Sequence, residues 1–199
     1  MAEPALALYF APGSSSMAPH IALHEIGVPF ETHAVSLAKD RTPEFLAVNP
    51  EGKVPVLVVD GAPLTEVAAI LFYLAKSFPA AALLPGADSS DGIEAEARVI
   101  SWMSFIASTV HPARRQGPEQ WRAAFDVADR RLGPGDWAEG TYSIADIHLF
   151  RLFWRFRGST EVAPGDLPHL SAHYDRMMDR PAVRRTIEIE TEIGHELPA

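Results

Sequence analysis

Asn49-Pro50-Glu51-Gly52-Lys53-Val54-Pro55-Val56-Leu57 is the stretch on which the reading of the fold turns. A proline entering an apolar β-run is unusual unless it stands at an edge or a bulge. A cis Val54–Pro55 bond would turn the Val54 backbone toward solvent, where an extended peptide ligand can pair with it; an ordinary edge strand is the plainer alternative. On the C-terminal side, Val54–Val59, Asp60-Gly61 and Ala62–Leu64 give a hairpin signal. Thr65 then caps a helix in which Val67, Ile70, Leu71 and Leu74 recur at helical spacing. On the N-terminal side, Leu6–Phe10 reads as a buried strand ended by Pro12-Gly13. Ser14-Ser15-Ser16 cap a helix running through Met17, Ile21, Leu23 and Ile26, with Gly27 as its stop. Phe30–Val35 is a second strand, and Thr42-Pro43-Glu44 opens a short helix with proline in its first position. The order β-α-β-α-β-β-α makes the first two strands parallel and the hairpin antiparallel, so the sheet is mixed.

Beyond Phe78 the composition changes. Phe78–Gly92 holds Pro79, Pro85, Gly86, Asp88, Ser89 and Ser90, which is linker chemistry. The predicted division is an α/β domain over 1–78, a linker over 79–90 and an all-helical domain over 91–199. Val99, Trp102, Met103, Ile106 and Val110 make one apolar stripe, with Glu94 and Arg98 paired four apart and Pro112 closing the helix. Pro118–Leu132 is a second amphipathic helix, ended by Gly133-Pro134-Gly135. Ser143 and Asp146 read as a capping box, with Tyr142 stapled on Ile147. The helix they open, Ile144–Phe156, is apolar nearly all round and therefore central to a bundle. Pro168–Asp179 and Ala182–Glu190 follow, and the acidic tail through Glu196 is expected to fray.

Of 199 residues, 47% are hydrophobic and 22% charged, an ordinary globular balance. The net charge of −9 argues against a large nucleic-acid footprint or an anionic membrane surface. With no cysteine there is no disulfide, thiolate metal site, cysteine nucleophile or redox dithiol. No apolar run approaches the roughly 20 residues that span a bilayer, which fits a soluble protein of a reducing cytoplasm.

Three local signals bear on chemistry, each weak alone. Pro12-Gly13-Ser14-Ser15-Ser16 joins a strand to a helix N-terminus, where amides and hydroxyls favour an anion, although capping explains the serines as well. Leu64-Thr65-Glu66-Val67 is a second helix N-terminus able to take a carboxylate. Val54-Pro55 offers the backbone edge described above. His20 and His24, like His169 and His173, are four apart but lack a third ligand, so they read as hydrogen-bonded or solvated side chains and no metal is expected. Arg114-Arg115 and Arg184-Arg185 read as solvated charge.

Taken in this order and spacing, "APGSSSMAPHIALHEIGVPFE", "NPEGKVPVL", "LTEVAAILFYLA" and "YSIADIHLF" resemble the glutathione S-transferase family over essentially the whole chain, most closely its bacterial beta-like branch. The resemblance implies a thioredoxin-like N-terminal domain with a mixed four-stranded sheet, an all-helical C-terminal domain, a homodimer and glutathione as co-substrate. It implies that Val54 pairs through its backbone with the cysteinyl part of glutathione beside cis-Pro55. Glu66 and the amide of Val67 would hold the γ-glutamyl end, with Lys53 and Lys39 near the carboxylates. Ser15 stands where beta-class members carry cysteine, and Ser14 where the serine classes place their activating hydroxyl; both remain candidates. His111 matches a histidine at the end of the first long C-terminal helix.

The implied activity is attack of the glutathione thiolate on small hydrophobic electrophiles. A non-catalytic binding or partner protein and a glutathione-dependent isomerase or dehalogenase are the alternatives. Lacking a protein thiol, the chain cannot form a mixed disulfide with glutathione. It departs from the family at Val67, where a small or hydroxyl residue is usual, and at Pro112, where a basic one is common. The segment from His111 to Ser143 is also short, which predicts a curtailed second helix and a reshaped acceptor pocket.

Overall fold

Alternation in β1 (Leu6–Phe10) sends Leu6, Leu8 and Phe10 into the core, none more than 4% exposed. In the computed structural model, which describes residues 3–39, 41–86 and 90–195, β1 lies between two neighbours. β2 (Glu31–Ala34) pairs parallel to it, reached through α1 (Met17–Ile26). β3 (Val56–Val59) pairs antiparallel on its other side, and β4 (Ala62–Thr65) pairs antiparallel with β3, so the order is β2-β1-β3-β4. The β3–β4 turn is Asp60-Gly61, both at positive φ, as the tight hairpin signal required. Pro63 is tolerated because β4 is an edge strand. α2 (Pro43–Val48) starts where Thr42 accepts the Phe45 amide, and α3 (Val67–Ser77) follows β4.

Two caps differ from expectation. Ser16 precedes α1 in helical geometry and makes no side-chain cap, because its hydroxyl is engaged by the backbone of Ala11. Thr65 is the last strand residue, paired with Val56, and Glu66 intervenes at φ 70° before α3.

The chain separates into two compact units, Met1–Leu74 with Pro181–Ala199, and Ala75–Arg180. α9 (Pro181–Ile193), the last helix of the stretch expected to be all-helical over 91–199, groups with the first unit and packs on α1. Apolar and polar contacts both explain this: Val183 is fully buried, and so is Glu190, which bonds to the strand-to-helix loop of that unit. α9 runs to Ile193, three residues past the end expected at Glu190, so the tail expected to fray is helical at its start; Glu196 lies outside the described residues. The expected linker is partly ordered. Pro79–Ala81 form a 3-10 turn, and buried Leu83 accepts the Ile144 amide through its carbonyl, whereas Asp88 and Ser89 lie outside the described residues.

In the helical unit, α4 (Ser90–Phe105) buries Val99, Trp102 and Met103 as the stripe predicts. It does not end at Pro112. A π-turn over Ile106–Val110 leads into α5 (His111–Ala113) and a 3-10 turn, Arg114–Gln116, before Gly117. Proline breaks a helix by its missing amide and by its ring meeting the carbonyl four residues back. The widened turn moves that carbonyl aside. α6 (Pro118–Leu132), α7 (Ile144–Ser159) and α8 (Pro168–Met178) complete the unit.

The capping box of α7 is present: the Ser143 amide donates to Asp146 Oδ2 at 2.9 Å, and the Ser143 hydroxyl accepts from Ala145. α7 is central, but it is not apolar all round, since His148, Arg151 and Arg155 are buried on it. Phe150, Phe153 and Phe156 are fully buried, each stabilising the fold by about 1.5–3 kcal/mol.

Candidate functional site

Three chain segments meet at one end of the sheet because of strand register. Tyr9 pairs with Val56 and Val56 with Thr65, so β1 ends, β3 begins and β4 ends at the same level. The residues just beyond that level are the 11–16 loop, Val54-Pro55 and Glu66-Val67. The three local signals of the sequence are therefore neighbours at one sheet end.

In the first segment the serines have separate tasks. Ser16 Oγ accepts the Ala11 amide at 3.0 Å and donates to the Ala11 carbonyl at 3.1 Å. With that hydrogen committed, Ser14 is the donor in the 2.6 Å contact between the two hydroxyls. Ser14 Oγ also accepts the Ser16 amide, and Ser14 is only 5% exposed. Ser15 alone of the three is partly exposed, and its hydroxyl donates to the Val54 carbonyl at 3.1 Å.

In the second segment, the Val54–Pro55 bond is cis. Asn49 shapes the turn before it: its Nδ2 donates to the Lys53 carbonyl at 2.8 Å and its Oδ1 accepts the Glu51 amide. Arg41 holds the same turn from outside, its Nε donating to the Gly52 carbonyl at 2.8 Å. Gly52 sits at φ 64°, and a Cβ there would come within 3.1 Å of Arg41 Cγ, so both conformation and space require glycine. In the third segment, Glu66 is exposed and its carbonyl accepts the Ile70 amide, while Val67 is half-buried.

Of the remaining predicted residues, Lys53 is exposed and pairs with Glu51 at 2.8 Å, holding that carboxyl below its usual value. Lys39 is also exposed, its amide donating to Ser36 Oγ. His111 belongs to the helical unit, half-buried, with its pKa lowered to about 4 by burial and then by Arg151, Arg115, Arg114 and Arg155.

The sequence reading passed over Asn49, Arg41 and Glu190. Asn49 could have been found as an Asx turn before Pro50 and Gly52. Arg41 and Glu190 act through tertiary contacts that carry no local signal. The fully buried Glu190 accepts the Gly13 amide at 2.6 Å and meets His20 Nδ1 at 2.9 Å. His20 and His173 are hydrogen-bonded to carboxylates, as the reading of those pairs had it. Among the described residues, no group of three or more His, Asp or Glu is placed to hold a metal, and no helix is long and apolar enough to cross a membrane.

The surroundings suit the ends of a tripeptide: backbone at Val54, a hydroxyl beside it at Ser15, and an exposed carboxylate at Glu66 for an ammonium group. Comparison with known proteins gives the family. Residues 4–76 match the glutathione S-transferase N-terminal domain and residues 102–181 its C-terminal domain. Glutathione S-transferase GstA of Escherichia coli O157:H7 is 32% identical over 201 residues, covering 92% of this chain and 98% of the relative. A sphingomonad glutathione S-transferase solved in complex with glutathione is 34% identical, covers 93% of this chain and 98% of its own, and superposes with a TM-score of 0.82. The beta-class enzyme of Sphingomonas chungbukensis is 33% identical, with a TM-score of 0.80 and coverage of 92% and 98%. The chain belongs to the glutathione S-transferase family, in its bacterial beta-like branch. It is a glutathione transferase and takes glutathione as co-substrate.

Proposed function

We propose that this transferase ionises the thiol of bound glutathione with the help of the Ser15 hydroxyl and delivers the thiolate to a small hydrophobic electrophile. The observation that carries the reading is the partition of the serines: Ser14 is buried and engaged in its own loop, while Ser15 is partly exposed and its hydroxyl, which donates to the Val54 carbonyl at 3.1 Å, can turn from that acceptor to a thiolate held beside it. Glutathione would pair with the Val54 backbone beside Pro55 and place its sulfur near Ser15. Glu66 would accept the γ-glutamyl ammonium, and the Val67 amide its carboxylate. Lys53 and Lys39 would meet the carboxylates by swinging from their exposed positions. The catalytic role of His111 rests on the family resemblance alone. A homodimer in the cytoplasm is the setting this family membership favours.

A free thiol titrates at about 8.5 and is mostly protonated at neutral pH. A hydroxyl donor at a helix N-terminus favours the thiolate, each unit of lowering being worth about 1.4 kcal/mol. The proton leaves to solvent. The sulfur pair forms a bond to the electrophilic carbon, and the leaving group departs with the pair of the bond that breaks. No bond to the protein forms.

Titration of the protein with glutathione across pH, following thiolate absorbance, tests the reading together with turnover of a generic aromatic halide. Ionisation well below the free value, with turnover, is the expected result. Binding without a lowered thiol pKa and without turnover would instead leave a glutathione-holding protein.

A further inference from the structure

One carboxylate reaches both flanks of the serine segment. Glu190 Oε2 accepts the Gly13 amide at 2.6 Å, on the chain just before Ser14. Glu190 Oε1 meets His20 Nδ1 at 2.9 Å, in the first turn of α1 after Ser16. Both side chains are buried, and the His20 ring stands 5.0 Å from the rings of Phe10 and of His24. Glu190 comes from α9, at the far end of the chain but in the same unit as the loop.

The Gly13 amide belongs to the central peptide of a turn. The Ser14 amide donates to the Ala11 carbonyl at 3.0 Å, Pro12 is the second residue, and Gly13, the third, has φ 71°. Proline second and positive φ third define a type II turn. A type I turn keeps the same closing bond and also accepts proline second, but it reverses the central peptide and takes the third residue to φ of about −90°. The closing bond therefore does not choose between the two. An acceptor for the central N–H does, and Glu190 is that acceptor. In the reversed turn the Gly13 N–H faces away from Glu190, and the chain enters Ser14 and Ser15 from another direction. The Ser15 hydroxyl reaches the Val54 carbonyl at 3.1 Å, and a displacement of about 0.5 Å takes that contact beyond hydrogen-bond range. Stability alone does not call for a carboxylate here, because a buried pair of this kind replaced whole by apolar side chains is often as stable or more so. An apolar side chain would leave the Gly13 amide unheld.

We propose that Glu190 is a positioning residue of the transferase, fixing the Pro12–Gly13 peptide in the orientation that sets the Ser15 hydroxyl beside Val54 for the thiol of glutathione. Its second oxygen, on His20, ties that peptide to the helix that follows the serines, so the segment is held at both ends by one side chain. The inference rests on the reading of Ser15 above and adds to it the group that keeps the hydroxyl in place.

The thiol pKa of glutathione bound to the full chain, followed by thiolate absorbance, tests this beside kcat and KM for an aromatic halide. Glu190→Ala should raise the bound thiol pKa by about one unit, roughly tenfold less thiolate at neutral pH. It should lower kcat by a similar factor while KM for glutathione stays within about twofold. Glu190→Gln, whose amide oxygen still accepts the Gly13 amide, should recover most of that loss although the charge is gone. Gly13→Ala disfavours the positive φ from the turn's own side and should reproduce the defect with Glu190 intact. It decides the matter if Glu190→Ala fails to fold. Val183→Ala loosens the packing of α9 without touching either bond and should leave the thiol pKa at the parent value. A parent-like thiol pKa in Glu190→Ala or Gly13→Ala, no recovery in Glu190→Gln, or an equal rise in Val183→Ala would each overturn the proposal. Ser15→Ala in the same assay separates the two readings. A rise there with none in Glu190→Ala overturns the positioning role alone; no rise in Ser15→Ala overturns the reading of Ser15, and the positioning role with it.

Discussion

The main-chain amide of Gly13 donates to the Glu190 carboxylate across 2.6 Å, joining residues 177 positions apart. The other oxygen of Glu190 meets His20 of α1 at 2.9 Å, and both side chains are buried. The last helix of the chain therefore braces the loop that presents Ser14 and Ser15. Glu190→Ala leaves the amide and the imidazole without this acceptor and should destabilise the protein by about 3 kcal/mol or more. Glu190→Gln retains an acceptor and should lose about 1–2 kcal/mol. Urea unfolding of the two variants checks the order; equal losses would mean that the amide contact carries little.

Ser14 and Ser15 should separate by readout. Ser15→Ala removes the partly exposed hydroxyl and should lower kcat/KM for an aromatic halide by roughly 10- to 100-fold, the worth of one hydrogen bond to a charged group, with little change in stability. Ser14→Ala breaks the loop's own bonds and should cost about 1–2 kcal/mol of stability. Steady-state kinetics beside urea unfolding resolves the pair. A larger rate loss in Ser14→Ala would reassign the activating hydroxyl.

Ser15→Cys should create a redox activity the parent lacks. The new thiolate attacks oxidised glutathione, one sulfur bonds to Cβ-linked sulfur of the protein, and one reduced glutathione leaves. Intact-mass measurement after incubation with oxidised glutathione should show a single added glutathione that dithiothreitol removes. The unmodified parent, which has no cysteine, is the control.

Much of this was legible in the sequence, for reasons specific to each element. β1, the Asp60-Gly61 hairpin and the Ser143–Asp146 box each depend on residues close in sequence, where turn chemistry and alternation decide the conformation. Pro112 misled because its usual effect is local, whereas the π-turn ahead of it absorbs the ring. The sequence leaves Ser14 and Ser15 as alternatives because both stand at one helix N-terminus, and the contacts that set the two side chains apart, Ser14 with Ser16 and Ser15 with Val54, come only with the fold. His148, Arg151 and Arg155 went unnoticed because, spaced among Leu149, Phe150, Leu152 and Phe153, they read as the polar flecks of an apolar helix. Their burial depends on what α7 packs against, and periodicity does not carry that. Glu190 reads as the end of a helix, and its bonds to Gly13 and His20 are invisible there for the same reason.

Acid should weaken the fold through its histidines. His24, His111 and His148 titrate at about 4, 4 and 3 in the folded chain against 6.5 for the ordinary side chain, chiefly because burial disfavours the charged ring. Below pH 6.5 the unfolded chain takes up these protons and the folded one does not, so their contribution is whole above pH 6.5 and falls away toward pH 4 and 3. His148→Phe removes one such group while keeping an aromatic ring of similar size. Urea unfolding at pH 7 and pH 5 should show a smaller acid loss in that variant than in the parent. An equal loss would place the acid sensitivity in other groups.

Asp146 carries more of the helical unit than a capping box asks. Its Oδ2 accepts the amide of Ser143 at 2.9 Å and the hydroxyl at 3.1 Å, while Oδ1 accepts the Ala138 amide at 2.8 Å and meets His173 Nε2 at 3.0 Å. One fully buried carboxylate thus fastens the start of α7, the loop before it and the middle of α8. Ser143→Ala removes one cap and should cost about 1 kcal/mol. Asp146→Ala leaves three donors and a buried imidazole without that acceptor and should cost about 3–5 kcal/mol. Combined with Ser143→Ala it should cost less than the sum, because the two side chains share a bond. A double-mutant cycle in urea measures that coupling, and strict additivity would show that the helix cap and the α8 contact act independently.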